Sequence, residues 1–197
     1  MLQSTRKKGL NMKKSLAALV VIAIILSCNA FAASLKGVEM KDQIVAEGKS
    51  LSLQGIGLRK KFLFSVYVGG LYLTTPTKDA AAAINADEPK RISMTFLRDV
   101  DADNIKKAFK EGFETNSPEA AKTQSAKIET FLGLFKEEFK EGETVNITYL
   151  PATGVTAEKG GKVLGTVEGA EFMKAVFTIW LGKNPPSEDL KKGMLGL

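Results

Sequence analysis

The chain after residue 32 begins with alternating apolar and polar positions, the pattern of half-buried strands. Strands are predicted over 43–45 and over 50–54, where Leu51 and Leu53 alternate with polar residues. After an interruption at 55–57, a long apolar run predicts a strand over 62–73. Alternation resumes over 91–97 and predicts one more strand before the pattern changes.

The middle of the chain has helical spacing. Asp101 is the predicted N-cap of a helix with one apolar face, and Pro118 is predicted to begin a longer helix that Gly142 ends. The apolar faces are Ile105, Ala108, Phe109 and Phe113 in the first helix, and Ile128, Phe131, Leu132, Phe135 and Phe139 in the second.

The last third returns to strands and closes with helices. Strands are predicted over 144–150 and in a hairpin with arms at 155–159 and 163–167. A helix carrying Phe172 and Trp180 follows, and a last short helix comes after it. Strands and helices are grouped and do not alternate, so we expect an α+β domain whose curved antiparallel sheet is covered by helices on one face.

The first 32 residues have the pattern of a secretory leader. Five Lys or Arg residues precede an apolar run over 16–26, and Ala30-Phe31-Ala32 is a small-x-small cleavage site. The run is shorter than the roughly 20 residues that cross a bilayer. We therefore expect residues 1–32 to be removed, leaving 33–197 as a single periplasmic or secreted domain with no membrane span. Lipidation at Cys28, within a lipobox-like Ile-Leu-Ser-Cys, is the alternative.

Removal of the leader changes the composition. It takes away five cations and no anion, leaving 23 Lys and Arg against 22 Asp and Glu, so no basic surface suggests nucleic acid. Cys28 is the only cysteine and the chain has no histidine. Disulfides, imidazole metal ligands and His-dependent nucleophiles are thereby excluded. We expect neither a metal site nor a cofactor.

Three polar side chains on apolar strands are the candidate ligand-binding residues. Arg59 precedes the long strand, and a guanidinium can hold a carboxylate or phenolate with paired hydrogen bonds. Tyr67 and Tyr72 lie within that strand, where a buried hydroxyl needs a partner. For Arg59, a structural ion pair is an equally good interpretation. The aromatic residues of the helices are expected to pack in the core, beside which a pocket for an apolar ligand can open.

The stretch Gly55-Ile-Gly-Leu-Arg-Lys-Lys-Phe-Leu-Phe-Ser-Val-Tyr-Val-Gly-Gly-Leu-Tyr-Leu73 resembles the signature of chalcone-isomerase-like proteins, in their bacterial exported branch. The blocks 91–100 and 177–187 are similar to later parts of that family. The resemblance implies an open-faced β-sandwich with a ligand cleft between sheet and helices. It also implies that Arg59 corresponds to the arginine of the plant isomerases.

Other positions depart from the isomerase pattern. Tyr67 occupies the position at which the plant isomerases have Thr. The Tyr and Asn of those enzymes align near Asn104 and Glu111, and Ile179 takes the place of a polar residue. An Arg with a Tyr resembles the fatty-acid-binding members instead. The leading hypothesis is a non-catalytic binder of a small apolar carboxylate or phenolate. An isomerase or lyase that uses Arg59 as a catalytic residue is the second, and an envelope interaction protein without ligand is the third.

Overall fold

Seven strands form one antiparallel sheet in which each strand pairs with the next along the chain. The computed structural model describes residues 32–197. The sheet consists of β3 (Gln43–Ala46), β4 (Lys49–Lys61), β5 (Phe64–Leu73), β6 (Lys90–Phe96), β7 (Thr144–Leu150), β8 (Gly154–Lys159) and β9 (Lys162–Val167). A separate hairpin precedes it, made of β1 (Ala32–Leu35) and β2 (Val38–Lys41).

Six helices occur in the same part of the chain. They are α1 (Ala80–Asn85), α2 (Ala102–Asn116), α3 (Pro118–Thr123), α4 (Ser125–Leu132), α5 (Ala170–Leu181) and α6 (Glu188–Met194). Helix α5 packs against α1 and α2, while α6 lies along β4. None of the helices within 32–197 is long and apolar enough to cross a bilayer.

The two faces of the sheet differ in chemistry. The face under the helices is apolar and buried, with residues such as Leu71, Ile92 and Ile147 fully removed from solvent. The opposite face carries cross-strand polar pairs whose side chains hydrogen-bond to one another. These pairs are Arg91–Thr148, Ser93–Asn146, Thr95–Thr144, Asn146–Glu158 and Thr156–Thr166. The predicted α+β class, with helices over one face of an antiparallel sheet, is confirmed.

Aromatic rings fill the layer between sheet and helices. Phe109 stacks on Phe135 at a centroid separation of 4.8 Å and meets Trp180 edge-on at 5.7 Å. Phe131 makes an edge contact with Phe109 at 5.3 Å. Such geometries add about 0.5–1.5 kcal/mol per pair beyond area burial. The expectation that these helical aromatics pack in the core is confirmed.

Two glycines of β4 let α6 rest directly on the strand. The predicted interruption of the strand at 55–57 is wrong, because β4 continues through both Gly55 and Gly57. A methyl group at Gly57 would collide with the backbone of Leu190, and one at Gly55 with the backbone of Gly193. The missing side chains are therefore what allows a helix backbone to approach this closely.

The predicted strand over 62–73 begins too early. Residues 60–61 end β4, and Phe62 and Leu63 form a two-residue turn into β5, with Phe62 at φ 54°. The apolar run concealed the turn because turns usually carry Gly, Asn, Asp or Pro, and this one has none. The β1–β2 hairpin was not predicted at all.

The predicted helix over 118–142 is also wrong in extent. It is divided at Gln124, whose φ of −119° is not helical, and it ends at Leu132 before Gly133. Beyond that point the chain forms a bridge in which Val100 and Phe139 exchange backbone hydrogen bonds of 2.8 Å. Phe135 and Phe139 are still buried, so the apolar spacing predicted their burial correctly, although it predicted too long a helix. The predicted N-cap Asp101 is confirmed, and Ser187 caps α6 by accepting a hydrogen bond from the backbone N–H of Leu190.

Candidate ligand-binding site

A cavity of about 260 Å³ opens between α2, the end of α5 and the ends of strands β4, β5 and β6. Its walls are largely apolar, and its rim carries polar groups that reach solvent. The apolar wall is formed by Val66, Met94, Phe96, Ile105, Phe109, Phe139, Ile179 and Trp180. Residues Lys61, Asn104, Glu111 and Asn184 lie at the exposed rim.

Arg59 and Tyr67 lie directly opposite each other on neighbouring strands. They are register partners in the β4–β5 ladder, so both side chains emerge on the same face of the sheet. That is the helix-covered face, because Gly55 and Gly57 alternate with Arg59 along β4 and lie under α6. The glycines allow α6 to cover the strand up to this point, and both Arg59 and Tyr67 line the cavity.

The charge of Arg59 has no carboxylate partner in the part of the chain that the structure describes. Its guanidinium donates to the backbone carbonyl of Lys60, and no ion pair within 32–197 includes it. The alternative interpretation, that Arg59 forms a structural ion pair, is therefore wrong for the part of the chain that the structure describes. A cation at a cavity wall that no protein anion neutralises can bind a ligand anion.

The hydroxyl of Tyr67 is positioned by an indole. Trp180 Nε1 donates a hydrogen bond of 3.0 Å to the Tyr67 oxygen, and Tyr67 is only 8% exposed. Indole N–H can only donate, so the tyrosine oxygen must act as the acceptor. The phenolic hydrogen is thereby left to donate, and no hydrogen bond within 32–197 takes it up.

Burial controls the protonation of this tyrosine. Loss of solvent raises the pKa of Tyr67 to about 12, although the hydrogen bond from Trp180 and the charge of Arg59 act in the opposite direction. The hydroxyl is therefore protonated at neutral pH and acts as a hydrogen-bond donor. It has little capacity to act as a general base under those conditions.

Tyr72, the third residue predicted to bind ligand, does not line this cavity. It points to the opposite face of the sheet, where it packs with Leu51 and Leu150. Its hydroxyl donates a hydrogen bond of 2.9 Å to the carbonyl of Lys41 in the β1–β2 hairpin. Since Tyr67 and Tyr72 are separated by five positions along one strand, the period of two places them on opposite faces.

Three positions that depart from the isomerase pattern all lie at the cavity. Asn104 and Glu111 belong to α2 and Ile179 to α5. The resemblance to the isomerases therefore identified positions at the cavity, but the sequence analysis assigned Trp180 only a packing role. A buried Trp needs an acceptor for its indole N–H, so the need for a polar partner could have been expected from the sequence, although not which residue supplies it.

The fold is thus that of an open-faced sheet with a partly polar cavity under its helices. The chalcone isomerase-like family profile matches residues 32–196. The chain belongs to the chalcone isomerase-like family. A search of curated proteins by sequence returned no match.

One solved structure with the same fold is the crystal structure of a fatty-acid binding protein from Arabidopsis thaliana. It superposes with a TM-score of 0.67 at 16% sequence identity, covering 84% of this chain and 96% of that protein. At this identity the similarity establishes the shared fold, which agrees with the sheet and helix order described above.

Proposed function

We propose that this protein is a non-catalytic binder of a small apolar carboxylate, such as a fatty acid, held with its head group at Arg59 and Tyr67. The observation that carries the proposal is the position of Arg59 directly opposite Tyr67 at the wall of an apolar cavity, with no partner among residues 32–197 for the arginine charge or the tyrosine hydrogen. The fatty-acid binding described for the Arabidopsis thaliana protein of the same fold supports this class of ligand.

The head group of such a ligand would meet two donors of different kinds. The Arg59 guanidinium supplies charge and up to two parallel hydrogen bonds, and the Tyr67 hydroxyl supplies one more. Charge-assisted hydrogen bonds contribute roughly twice as much as neutral ones, so a carboxylate is favoured over an ester or an alcohol.

The apolar tail would lie against the aromatic and aliphatic wall. Phe96, Phe109 and Ile179 present carbon surface to the cavity. A volume of about 260 Å³ lies just under the range of roughly 300–1,000 Å³ typical of small-molecule sites. A short or medium acyl chain therefore fits best, with the end of a longer chain extending past the polar rim.

Catalysis of a chalcone-type cyclisation is less well supported. Tyr67 does not supply a proton acceptor for such a reaction, because burial raises its pKa to about 12 and its hydroxyl stays protonated at neutral pH. Ile179 contributes no polar atom at the wall, and Asn104 and Glu111 lie at the exposed rim.

We also propose that the protein belongs to the exported bacterial branch of its family and acts outside the cytoplasm after loss of residues 1–32. The basic, apolar and small-x-small succession at the start of the chain motivates this location. Intact-mass analysis of protein recovered from its host should give a chain beginning at Ala33. A mass that includes Cys28 with attached acyl groups would instead establish the lipoprotein alternative.

Native mass spectrometry of the protein purified after expression of the full chain tests the binding proposal. We expect a complex with a co-purifying fatty acid, or with added decanoate at one molecule per chain. The control is the same experiment with decanol, which has the same alkyl chain but no carboxylate. Equal occupancy by decanol and decanoate, or no complex with either, would refute the proposal.

A further inference from the structure

The turn that joins β4 to β5 is apolar and exposed. Phe62 is 88% exposed, Leu63 is 96% exposed and Phe64 is 60% exposed. Exposure of three adjacent large apolar side chains to water is unfavourable, because each forgoes the free energy that burial in the core would give. Their presence therefore calls for a reason outside the folding of the domain.

The other two-residue turns in the described chain are built differently. Lys36-Gly37 joins β1 to β2, Glu47-Gly48 joins β3 to β4, and Gly160-Gly161 joins β8 to β9. Each uses glycine at a positive φ, the usual solution for a tight hairpin. The first residues of two of these turns, Lys36 and Glu47, also have positive φ, but a glycine follows each of them. Phe62, at φ 54°, is followed by Leu63, so the β4–β5 turn has no glycine, and a bulky aromatic residue at positive φ is uncommon.

Cations surround the apolar turn. Lys60 and Lys61 precede it and are exposed, and the guanidinium of Arg98 lies 4.8 Å from the centre of the Phe64 ring. Within residues 32–197 none of these three cations forms an ion pair. The neighbouring carboxylate of Asp99 is already bound to Lys140 at 3.0 Å.

Exposed Phe and Leu side chains beside Lys and Arg that have no carboxylate partner in the described part of the chain have the composition of a segment that binds anionic lipid. The apolar side chains enter the boundary between head groups and acyl chains, and the cations remain with the anionic head groups. The turn also adjoins the cavity, since Arg59, Lys61 and Tyr67 at the end of the same hairpin line it.

We propose that the segment Lys60–Phe64, together with Arg98, docks on the surface of an anionic phospholipid bilayer and brings the cavity mouth to the lipid. The reason for docking rests on the proposed function, because a fatty acid dissolved in a bilayer would enter the cavity from that surface. The binding of vesicles itself requires no fatty acid and is measured separately.

Co-sedimentation with vesicles tests the docking. The protein purified after expression of the full chain is mixed with vesicles of equal parts phosphatidylglycerol and phosphatidylcholine, or of phosphatidylcholine alone. We expect binding to the anionic vesicles that weakens as salt is raised. The double variant Phe62→Ser/Leu63→Ser should lower the partition coefficient by about tenfold or more.

Matched variants separate the contributions. Val163→Ser changes another exposed apolar residue, 58% exposed in the β8–β9 hairpin, and should leave vesicle binding unchanged. Lys60→Gln/Arg98→Gln should weaken binding to anionic vesicles and leave the weak binding to neutral ones as it is. Wild-type protein that stays in the supernatant with anionic vesicles, or a Phe62→Ser/Leu63→Ser variant that binds as well as wild type, would overturn the proposal.

Two further measurements identify which proposal fails. Light scattering without vesicles checks whether the turn joins two copies of the chain; a dimer that the double variant converts to monomer would also overturn membrane docking. Decanoate binding in solution should be the same for the double variant and wild type. For the wild-type protein, decanoate binding without binding to anionic vesicles refutes docking alone, and vesicle binding without decanoate binding refutes the fatty-acid site alone.

Discussion

Trp180 Nε1 donates a hydrogen bond of 3.0 Å to the hydroxyl oxygen of Tyr67 inside the core. This contact joins α5 to β5 and determines how the tyrosine can interact with a ligand. Because the oxygen accepts from Trp180, the hydroxyl hydrogen is available on the face where Arg59 lies, and within residues 32–197 no carboxylate pairs with Arg59. The same contact connects the stability of the fold to the chemistry of the cavity.

A double-mutant cycle measures this connection. Tyr67→Phe leaves the buried indole N–H without an acceptor, and we expect the free energy of unfolding to fall by about 1–3 kcal/mol. Trp180→Phe removes both the donor and part of the cavity wall. The double variant should lose less than the sum of the two losses, by about 1 kcal/mol, in denaturant unfolding. Strict additivity would show that the hydrogen bond contributes nothing.

The tyrosines should titrate together at high pH. The chain has three, Tyr67, Tyr72 and Tyr149, and burial raises the pKa of each to about 12. The hydrogen bond that Tyr149 donates to Asp87 raises its pKa further, whereas the charge of Arg91 lowers that of Tyr72. We expect the ultraviolet absorbance of tyrosinate to show no ionisation step near pH 10 in the folded protein.

Stability should follow the same ionisation. In the unfolded chain tyrosine loses its proton near pH 10, while the folded state retains it until about pH 12. The contribution of the tyrosines is therefore complete below pH 10 and is lost as pH rises toward 12. Thermal unfolding measured across this range should show a steadily falling melting temperature. A step of one or more tyrosinates at pH 10 with unchanged stability would contradict the burial.

Gly57 should tolerate no side chain. A methyl group there would collide with the backbone of Leu190, so α6 must shift away from β4 in Gly57→Ala. We expect a loss of about 1–3 kcal/mol in the free energy of unfolding. Gly133→Ala is the matched control, because its φ of −65° suits any residue and an added methyl group would come no closer than 3.3 Å to the backbone, so the loss should stay within about 1 kcal/mol. Equal effects of the two substitutions would mean that the close approach is unimportant.

A bulky residue at Ala108 should block the cavity without weakening the fold. Ala108 lines the cavity from α2 yet is exposed, so Ala108→Trp fills space beside the wall with little disturbance of the core. We expect decanoate affinity, measured by calorimetry, to fall by about tenfold or more. Lys107→Trp places the same side chain on an exposed neighbouring position outside the cavity and should have no effect. Undiminished affinity in Ala108→Trp would place the acyl chain elsewhere.

The sheet and most of the helices could be predicted from the sequence, because the buried residues of each strand and helix recur at a regular spacing. The strands 144–150 and 91–97, for example, appear within a residue of the observed β7 and β6. The predicted ends of elements were wrong where apolar residues continue beyond the strand or helix to which their spacing assigns them. Phe62 and Leu63 are apolar but form a turn, and Phe135 and Phe139 continue an apolar spacing after the helix has ended.

The candidate site could be predicted in part. Arg59 and Tyr67 were identified as a pair, and their opposition across β4 and β5 agrees with that choice. Tyr72 was included because a single strand does not reveal which of its faces the helices cover. The donor from Trp180 depends on two residues 113 positions apart, and no local pattern reports such a contact.

Lys90 illustrates a further limit of sequence analysis. It is 1% exposed, and its ammonium donates to the carbonyls of Ala83 and Ala86 at 2.6 Å, where α1 ends. These acceptors are the free carbonyls of a helix terminus, which a cation near the C-terminal end satisfies. In the sequence, the same lysine begins a strand and looks like an ordinary surface residue.

The affinities of decanoate and of its methyl ester, for wild type and for Arg59→Gln, test the central claim most directly. We expect wild type to prefer the acid by about 10- to 100-fold, the effect of charge-assisted hydrogen bonds. Arg59→Gln should remove that preference, while Arg98→Gln, which alters an arginine outside the cavity, should retain it. Equal affinity of wild type for acid and ester, or an undiminished preference in Arg59→Gln, would contradict a carboxylate site at Arg59.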